Sequence, residues 1–301
     1  MRLLERSRAY AELGKPGISL LATATAAAGY LVAWPGASGA GDAASLLGPA
    51  GWRLAALLAG TLLAAAGTNA LNQLLEREHD ARMARTRARP LPSGRLSPER
   101  AATFVVVVSG VGIGILAAAV NLLAAGLAAL TLVSYAFVYT PMKRVSPAAV
   151  LVGSVPGAFP ILGGWAAATG SLAPGAWTLF AIVFLWQLPH FAGLDWMCRE
   201  DYRRGGYRTV AVADGSGRST AVQAVGSAAL LVAVGAIPTV LGLAGGLYLA
   251  GALLLGGAYL AAGLPLAAEV TARRSRRLFL VSLAYLPLVL GLLVADRLIG
   301  G

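Results

Sequence analysis

Long uncharged apolar stretches alternate with shorter polar segments along most of the chain. An α-helix needs about 20 such residues to cross the hydrocarbon core of a bilayer. The pattern therefore predicts an all-α, polytopic membrane protein with nine transmembrane helices around a central cavity. We expect the spans near residues 17–35, 52–75, 101–119, 122–140, 148–168, 174–194, 220–239, 242–263 and 278–296.

The composition supports this pattern. Of the 301 residues, 57% are hydrophobic and only 12% are charged, whereas an average soluble domain carries about a quarter charged residues. A chain so poor in charge cannot cover a water-facing surface, and the predicted loops are too short to hold a soluble domain. We expect a single transmembrane domain over residues 1–301, with residues 1–16 as a cytoplasmic N-terminal tail.

The net charge of +11 falls almost entirely on one side of the predicted bundle. Of the 24 Lys and Arg residues, only Arg53 and Arg297 lie on the other side, where the first loop, residues 36–45, has no cation. The positive-inside rule then predicts a cytoplasmic N-terminus and an external C-terminus. This distribution explains the charge without a nucleic-acid partner. The Ala- and Gly-rich composition favours a bacterial inner membrane.

The end of the second predicted span carries three oxygen-bearing side chains spaced four residues apart. Asn72, Glu76 and Asp80 would share one helical face, and Asn69 extends the stripe. Mg²⁺ prefers such ligands and usually keeps substrate phosphate oxygens as its other partners. The alternative is that the carboxylates only pair with nearby arginines. His79 lies off the stripe, and we expect it to be a solvated loop residue.

Arginines follow this stripe, among them Arg85, Arg89 and Arg95, around a turn rich in Pro and Gly. Because the guanidinium group binds phosphate through two parallel hydrogen bonds, carboxylates beside arginines indicate a diphosphate site. Lys143 and Arg144 follow the fourth span. They could reach substrate anions, although basic residues at this position also act as topology signals.

A second acidic and Arg-rich loop follows the sixth span. It contains Asp201, with Arg199 and Arg203 beside it, and Asp195 at its start. Two such loops on one membrane face could each hold a metal ion on a shared diphosphate. Metal ions and arginines would stabilise the leaving group of an allylic diphosphate, and a dry apolar cavity would protect the carbocation.

His190 lies at the end of the sixth span in the run WQLPHF. It could pack as an ordinary polar residue, ligate haem iron or handle a proton, since ionisable groups within spans are often functional. A transporter is the alternative of another class. Transporters, however, place such groups near the bilayer midplane, whereas nearly all the charges here lie at one face.

Four stretches of the sequence resemble the UbiA prenyltransferase superfamily and, within it, the branch of protohaem farnesyltransferases, or haem O synthases. They read NQLLEREHDARMARTRARPLPSGRLSP, YTPMKRVS continuing to GAFPILGGWAAATG, WQLPHFAGLDWMCREDYRRGGYRTVAV, and RRSRRLFLVSLAYLPL. The resemblance covers almost the whole predicted bundle, and the run RTRARPLPSGRLSP is specific to the haem branch.

The resemblance implies transfer of a farnesyl group from farnesyl diphosphate to a vinyl group of haem b, with Mg²⁺ as cofactor. It assigns Asn72, Glu76 and Asp80 to the metal-diphosphate motif. The basic positions that follow this motif in the family fall on Arg85, Arg89 and Arg95, and the second acidic loop falls on Asp201, with Arg199 and Arg203 beside it. The family's histidine falls on His190, and its basic pair after the fourth span falls on Lys143 and Arg144.

The sequence departs from the family at two positions. Ala149 stands where relatives often carry an asparagine, and Asp195 replaces a small or apolar residue. The resemblance also implies partners that make or use the product, namely haem A synthase or assembly factors of a terminal oxidase. An aromatic quinone precursor or a chlorophyllide remains the alternative acceptor.

Overall fold

The computed structural model describes residues 3–34 and 49–299, in which every regular element is helical. The predicted loop at 36–45 and Arg2 lie outside these ranges. The helices follow in the order α1 (Leu3–Gly14), α2 (Pro16–Ala33), α3 (Pro49–Asp80), α4 (Pro98–Ala119), α5 (Leu122–Ser134), α6 (Thr140–Met142), α7 (Ala149–Thr169), α8 (Pro174–Met197), α9 (Arg199–Arg204), α10 (Val210–Ala213), α11 (Arg218–Gly235), α12 (Ile237–Val240), α13 (Gly246–Gly263), α14 (Pro265–Ala268) and α15 (Ala272–Ile299).

Nine helices in the described ranges are long and apolar enough to cross a membrane, as predicted. Their outer faces carry large apolar side chains such as Val106, Leu122 and Leu254, which are 72%, 79% and 74% exposed. Apolar surface of this kind requires a hydrocarbon solvent, because water would make its exposure unfavourable. The chain is an integral, multi-pass membrane protein.

The main difference from the predicted spans is the length of α3. The predicted span ends near residue 75, whereas the helix continues to Asp80. The polar residues of the first motif therefore lie on a regular helix that projects from the apolar part of the bundle. The fourth span also runs on: after α5 a π-helical turn, Tyr135–Tyr139, leads into α6. Such single turns often mark functional sites.

The predicted N-terminal tail contains a helix that packs against the bundle. Ala9 and Leu13 of α1 are fully buried against a small cluster that includes Ala70 of α3 and Val105 of α4. Tyr10 also stacks on an aromatic ring of α4. The amphipathic pattern of α1 thus buries one face on α3 and α4.

Small residues allow α2 and α7 to approach closely. A Cβ atom on Gly164 of α7 would overlap the carbonyl oxygen of Ala26, and one on Gly29 of α2 would overlap that of Ile161. Small residues at such crossings let helices pack through dispersion forces, which drive association where lipid removes the hydrophobic driving force. This crossing fixes α2 beside the central helices of the bundle.

On the opposite side from the charged loops, Asp296 of α15 caps the start of α13. Its carboxylate accepts hydrogen bonds from the backbone N–H groups of Gly245 and Tyr248. These N–H groups have no partner within their own helix, and a carboxylate also complements the positive end of the helix dipole. The buried acid therefore has a structural role.

We expect Gly164→Ala to lower the unfolding temperature of the detergent-solubilised protein, because overpacking a helix crossing costs about 1–3 kcal/mol. Gly163→Ala is the matched control, since its added methyl group would meet no atom within 4 Å. Thermal unfolding followed by circular dichroism measures both. Equal unfolding temperatures for the two variants would contradict the close α2–α7 contact.

Candidate active site

The polar stripe predicted from sequence lies on one face of the last turns of α3. Asn72 is 2% exposed, Glu76 is 4% exposed and Asp80 is fully buried. An uncompensated carboxylate in such a position would be costly, because burial removes the water that stabilises its charge. The structure must therefore supply each group with a partner.

Asn72, Glu76 and Asp80 each have a basic partner of their own. Lys143 pairs with Glu76, and Arg89 donates to Asp80 over 2.7 Å. Lys15, at the junction of α1 and α2, donates to Asn72 Oδ1 over 3.1 Å. The alternative in which the acids pair with nearby arginines is thus realised for Asp80. The partners of the other two groups come from distant parts of the sequence.

Two carboxylate oxygens of this cluster have no hydrogen-bond partner, and of these Glu76 Oε1 faces the ammonium group of Lys143. Asp80 Oδ1 is buried without a partner, while Oδ2 accepts from Arg89. A free, buried carboxylate oxygen beside Glu76 and the amide of Asn72 offers hard oxygen ligands, which suits Mg²⁺. The described residues contain no group of three or more His, Cys, Asp or Glu side chains that could hold a metal ion by themselves. A metal here would need oxygens from the substrate or water.

Aromatic rings surround the cation of Lys143. Its Nζ atom lies 4.7 Å from the ring centre of Tyr139 and 5.3 Å from that of Tyr207. Burial alone would lower the pKa of Lys143, but the charge of Glu76 raises it above its usual value. The lysine therefore stays charged, and ring faces hold it through cation–π attraction.

Lys15 sits in a different electrostatic setting. Burial, together with the charges of Arg89 and Lys143, lowers its pKa to about 7, although the charges of Glu76 and Asp80 act in the opposite direction. Its placement next to the stripe was missed, because the sequence suggested only a positive-inside residue of the tail. No motif spacing connects residue 15 with residue 72, so only the packing of α1 and α2 reveals it.

The two charged loops meet directly. The carboxylate of Asp201 accepts from the backbone N–H of Ala84 over 3.1 Å and from that of Arg85 over 3.2 Å. His79 Nδ1 lies 2.6 Å from the carbonyl oxygen of Gly205. The prediction of His79 as a solvated loop residue is wrong: it is half-buried and joins the end of α3 to the second loop.

The predicted basic residues are divided between the site and its margins. Arg89 lies in the site, and the Arg85 guanidinium sits 5.7 Å from the ring centre of Tyr202 beside the loop junction. Arg95 instead forms a bidentate ion pair with Glu12 of α1, at 2.5 and 3.1 Å. Arg95 therefore holds α1 in place and does not contact the carboxylates of Glu76 and Asp80.

The basic residues of the second loop also have local partners. Arg199 stacks over Trp196 at 4.2 Å, and Arg203 pairs with Glu200 at 2.6 Å. Arg144 is exposed beside Lys143. None of the three contacts the stripe in the part of the chain that the structure describes.

Asn69 also has a different partner from the rest of the stripe. Its Nδ2 donates to Ser19 Oγ of α2 over 3.1 Å. Asn72, one turn further, donates to Thr140 of α6 over 3.3 Å. Thr140 ends the π-helical turn, so the irregular backbone of the fourth span contacts the stripe. No pattern in the sequence points to Thr140.

His190 lies on α8 against α15. Its Nδ1 is 2.7 Å from Ser282 Oγ, and its ring stacks on Trp186 at a centroid distance of 5.2 Å and lies tilted against Phe279 at 4.9 Å. Within the described residues the other ring nitrogen has no hydrogen-bond partner. The structure does not join His190 to the carboxylate cluster by a direct contact.

Asp195 lines a small cavity of about 90 Å³ that also includes Tyr139 and Lys143. Its carboxylate accepts weakly, over 3.5 Å, from the N–H of Ala211. This unusual acid therefore shares a cavity with Lys143. Its contacts fit a role in holding the chain after the second loop.

Comparison with known proteins places this geometry in a family. The UbiA prenyltransferase family matches residues 20–290. The protein named protoheme IX farnesyltransferase of Solibacter usitatus is 47% identical over 96% of this chain and 99% of its own. That of Salinibacter ruber is 42% identical over 95% and 98%. The mitochondrial protein of that name from Arabidopsis thaliana is 38% identical over 97% of this chain and 65% of its own.

Solved structures share the fold. A digeranylgeranylglyceryl phosphate synthase has a TM-score of 0.77 at 18% identity and covers 98% of this chain and 99% of its own. A UbiA homologue from Archaeoglobus fulgidus, bound to DMAPP and Mg²⁺, has a TM-score of 0.65 at 14% identity and covers 94% and 98%. With the family match over most of its length, the chain belongs to the UbiA prenyltransferase family.

Proposed function

We propose that the chain transfers the farnesyl group of farnesyl diphosphate to a vinyl group of protohaem IX, giving haem O. The observation that carries the proposal is the buried stripe of Asn72, Glu76 and Asp80, in which Asp80 Oδ1 has no hydrogen-bond partner and which lies where two basic loops meet. The relatives named protoheme IX farnesyltransferase, at 38–47% identity, support haem as acceptor.

In this proposal the stripe holds Mg²⁺ together with the diphosphate. The relevant support is the free Oδ1 of Asp80 and the Mg²⁺ bound to a structural neighbour of the same fold. When bound, the metal ion supplies charge neutralisation for the leaving diphosphate. Arg89 and Lys143 pair with Asp80 and Glu76. Their remaining N–H groups would donate hydrogen bonds to diphosphate oxygens. Arg85, beside the loop junction, would neutralise the outer phosphate.

A narrow, mostly apolar cavity of about 40 Å³ continues from the stripe, and it would have to widen to take the isoprenoid chain. Its wall includes Thr61, Ala65 and Thr68 of α3, which continue the face of Asn72, and Thr131 of α5. The absence of charge in this wall would keep water away from the allylic cation. We infer that the farnesyl chain runs from the stripe into this cavity.

The reaction then proceeds without a covalent bond to the protein. The bond between farnesyl C1 and the diphosphate oxygen breaks, and diphosphate leaves with the electron pair. The vinyl group of the acceptor forms the new carbon–carbon bond with C1. Water adds to the resulting cation on the acceptor side and loses a proton, which leaves a hydroxyethylfarnesyl group.

We assign the remaining predicted residues to the acceptor and to support. His190, with one ring nitrogen held by Ser282, would use the other toward haem iron or the proton that water releases. Arg144, Arg199 and Arg203 would attract the propionates of haem at the cytoplasmic rim. Asn69 and Arg95 would support α1 and α2, in line with their contacts.

Asp201 would hold the two loops together. The alternative is that its carboxylate binds a second metal ion. Its two oxygens each accept one N–H from the first loop, although a carboxylate has further lone pairs. Groups that do not touch a metal ion themselves are often needed to orient the groups that bind it. Asp201 would therefore shape the loop that carries Arg85 and Arg89.

The proposed location is the bacterial inner membrane, with a cytoplasmic N-terminus and site and an external C-terminus. The one-sided distribution of Lys and Arg supports this orientation. The product would pass to haem A synthase or to assembly factors of a terminal oxidase. An aromatic quinone precursor or chlorophyllide would be the acceptor if haem is not.

Removing both carboxyl charges of the stripe should abolish magnesium-dependent binding. We expect Glu76→Gln with Asp80→Asn to weaken binding of Mg-farnesyl diphosphate by more than about 100-fold, since changes outside the ligand shell alone cost up to that much. Calorimetry on protein in nanodiscs measures this affinity. Glu78→Gln is the control on the same helix, because Glu78 is exposed and pairs only with Arg77. Parent-like affinity in the double variant would remove the metal assignment.

A change at Asp201 separates its two proposed roles. Asp201→Ala should speed amide hydrogen exchange at Ala84 and Arg85 with no ligand present, because both N–H groups lose their acceptor. The magnesium concentration for half-maximal activity should change little. Unaltered exchange combined with a large rise in that magnesium concentration would favour the second-metal role instead.

The acceptor is tested by offering alternatives side by side. Membranes that contain the protein, given labelled farnesyl diphosphate, should label haem b and leave 4-hydroxybenzoate and chlorophyllide unlabelled. Membranes with the double carboxylate variant are the control for background transfer. Label found only in the benzoate or chlorophyllide product would overturn the haem assignment while leaving prenyl transfer intact.

A further inference from the structure

The junction between α1 and α2 has a strained backbone at Lys15. Its φ of 46° and ψ of 70° lie in the left-handed region, and in the described ranges no other non-glycine residue has a positive φ. Side chains rarely adopt this conformation, so it persists only where the surroundings determine it fully. Contacts from α2 and α3 on both sides of Lys15 hold it in this position.

Gln73 of α3 holds the end of α1. The side chain is 1% exposed, and its Nε2 donates to the carbonyl oxygens of Glu12, at 3.0 Å, and Leu13, at 2.9 Å. The last carbonyls of a helix have no partner within the helix. One buried amide therefore ends α1 immediately before Lys15.

Two further contacts fix the other side of the junction. Ser19 Oγ of α2 donates to the carbonyl oxygen of Gly14 over 2.8 Å, and Asn69 of α3 donates to the same Ser19 oxygen. At the outer surface, the bidentate pair of Glu12 with Arg95 ties α1 to the first charged loop. The residues on both sides of Lys15 are thus anchored.

The consequence is the direction of the Lys15 side chain. With its backbone turned at the junction, Lys15 reaches Asn72 Oδ1 at 3.1 Å, one residue away from the Gln73 that holds α1. Adjacent residues of α3 therefore perform separate tasks: Gln73 fixes the junction, and Asn72 meets the cation that the junction presents.

We propose that Gln73 is a positioning residue for substrate binding: by holding the end of α1, it aims Lys15 at the diphosphate bound along the Asn72 stripe. Lys15 contributes a third basic group to that stripe, besides Arg89 and Lys143. The inference rests on the proposed function and adds to it, because α1 becomes part of the binding machinery.

A double-mutant cycle tests the proposal. The parent, Gln73→Leu, Lys15→Met and the combined variant are compared in nanodiscs by the Kd for Mg-farnesyl diphosphate without acceptor. We expect each single change to weaken binding about tenfold, which is typical of losing one charge-assisted contact. The combined variant should bind no more weakly than Lys15→Met alone, since Gln73 acts through Lys15.

The kinetic readout should agree with the binding. Gln73→Leu should raise the KM for farnesyl diphosphate and leave the KM for haem unchanged. Gln223→Leu is the matched control, because Gln223 also donates from a partly buried position to a helix carbonyl, that of Leu188, away from the site. This control should keep the parental Kd.

A surface variant covers the case in which Gln73→Leu does not fold. Glu12→Ala removes the outer brace of α1 without touching the core, and it should weaken binding by about two- to fivefold, the usual range for exposed pairs. That effect should vanish in the Lys15→Met background. Additive losses in both cycles, or unchanged affinity in both Gln73→Leu and Glu12→Ala, would overturn the positioning role. Failure of the parent to bind Mg-farnesyl diphosphate would instead refute the proposed function.

Discussion

The pairing of buried oxygens with cations at the end of α3 determines the arrangement of the charged side of this bundle. Glu76 and Asp80 are almost fully removed from solvent, and unpaired charges in that position would destabilise the fold. Lys143 follows the fourth span, Arg89 comes from the first loop, and Lys15 precedes the first span. Three separate segments therefore converge on one helical face because its acids and amide require partners.

The same pairing connects stability with chemistry. The pairing leaves Asp80 Oδ1 without a hydrogen-bond partner, so this oxygen can take a further ligand. Cations that neutralise carboxylates are also the groups that can bind phosphate oxygens. The second loop keeps this arrangement closed, because Asp201 takes two N–H groups of the first loop and His79 contacts Gly205. The two loops thus act as one unit at one end of the bundle.

Much of this organisation could be predicted from the sequence. The nine spans follow from apolar length alone, and the spacing of Asn72, Glu76 and Asp80 correctly predicts one shared helical face. Local spacing, however, carries no information on contacts between distant segments. Lys15 and Thr140 reach the stripe through tertiary packing, and Arg95 turns to Glu12 because α1 folds back over α3. The prediction that His79 is a solvated loop residue is wrong for the same reason, because its partner Gly205 lies 126 residues away in the sequence.

We propose that a single magnesium–diphosphate unit binds along the α3 stripe between the two loops. The most direct measurement is a structure of the full chain with farnesyl diphosphate and Mn²⁺ in place of Mg²⁺, with the metal located by anomalous scattering. We expect a metal peak about 2 Å from carboxylate oxygens of Glu76 and Asp80, with diphosphate oxygens completing the coordination shell. A metal peak and diphosphate bound elsewhere, with the stripe still paired only to its own cations, would contradict this proposal.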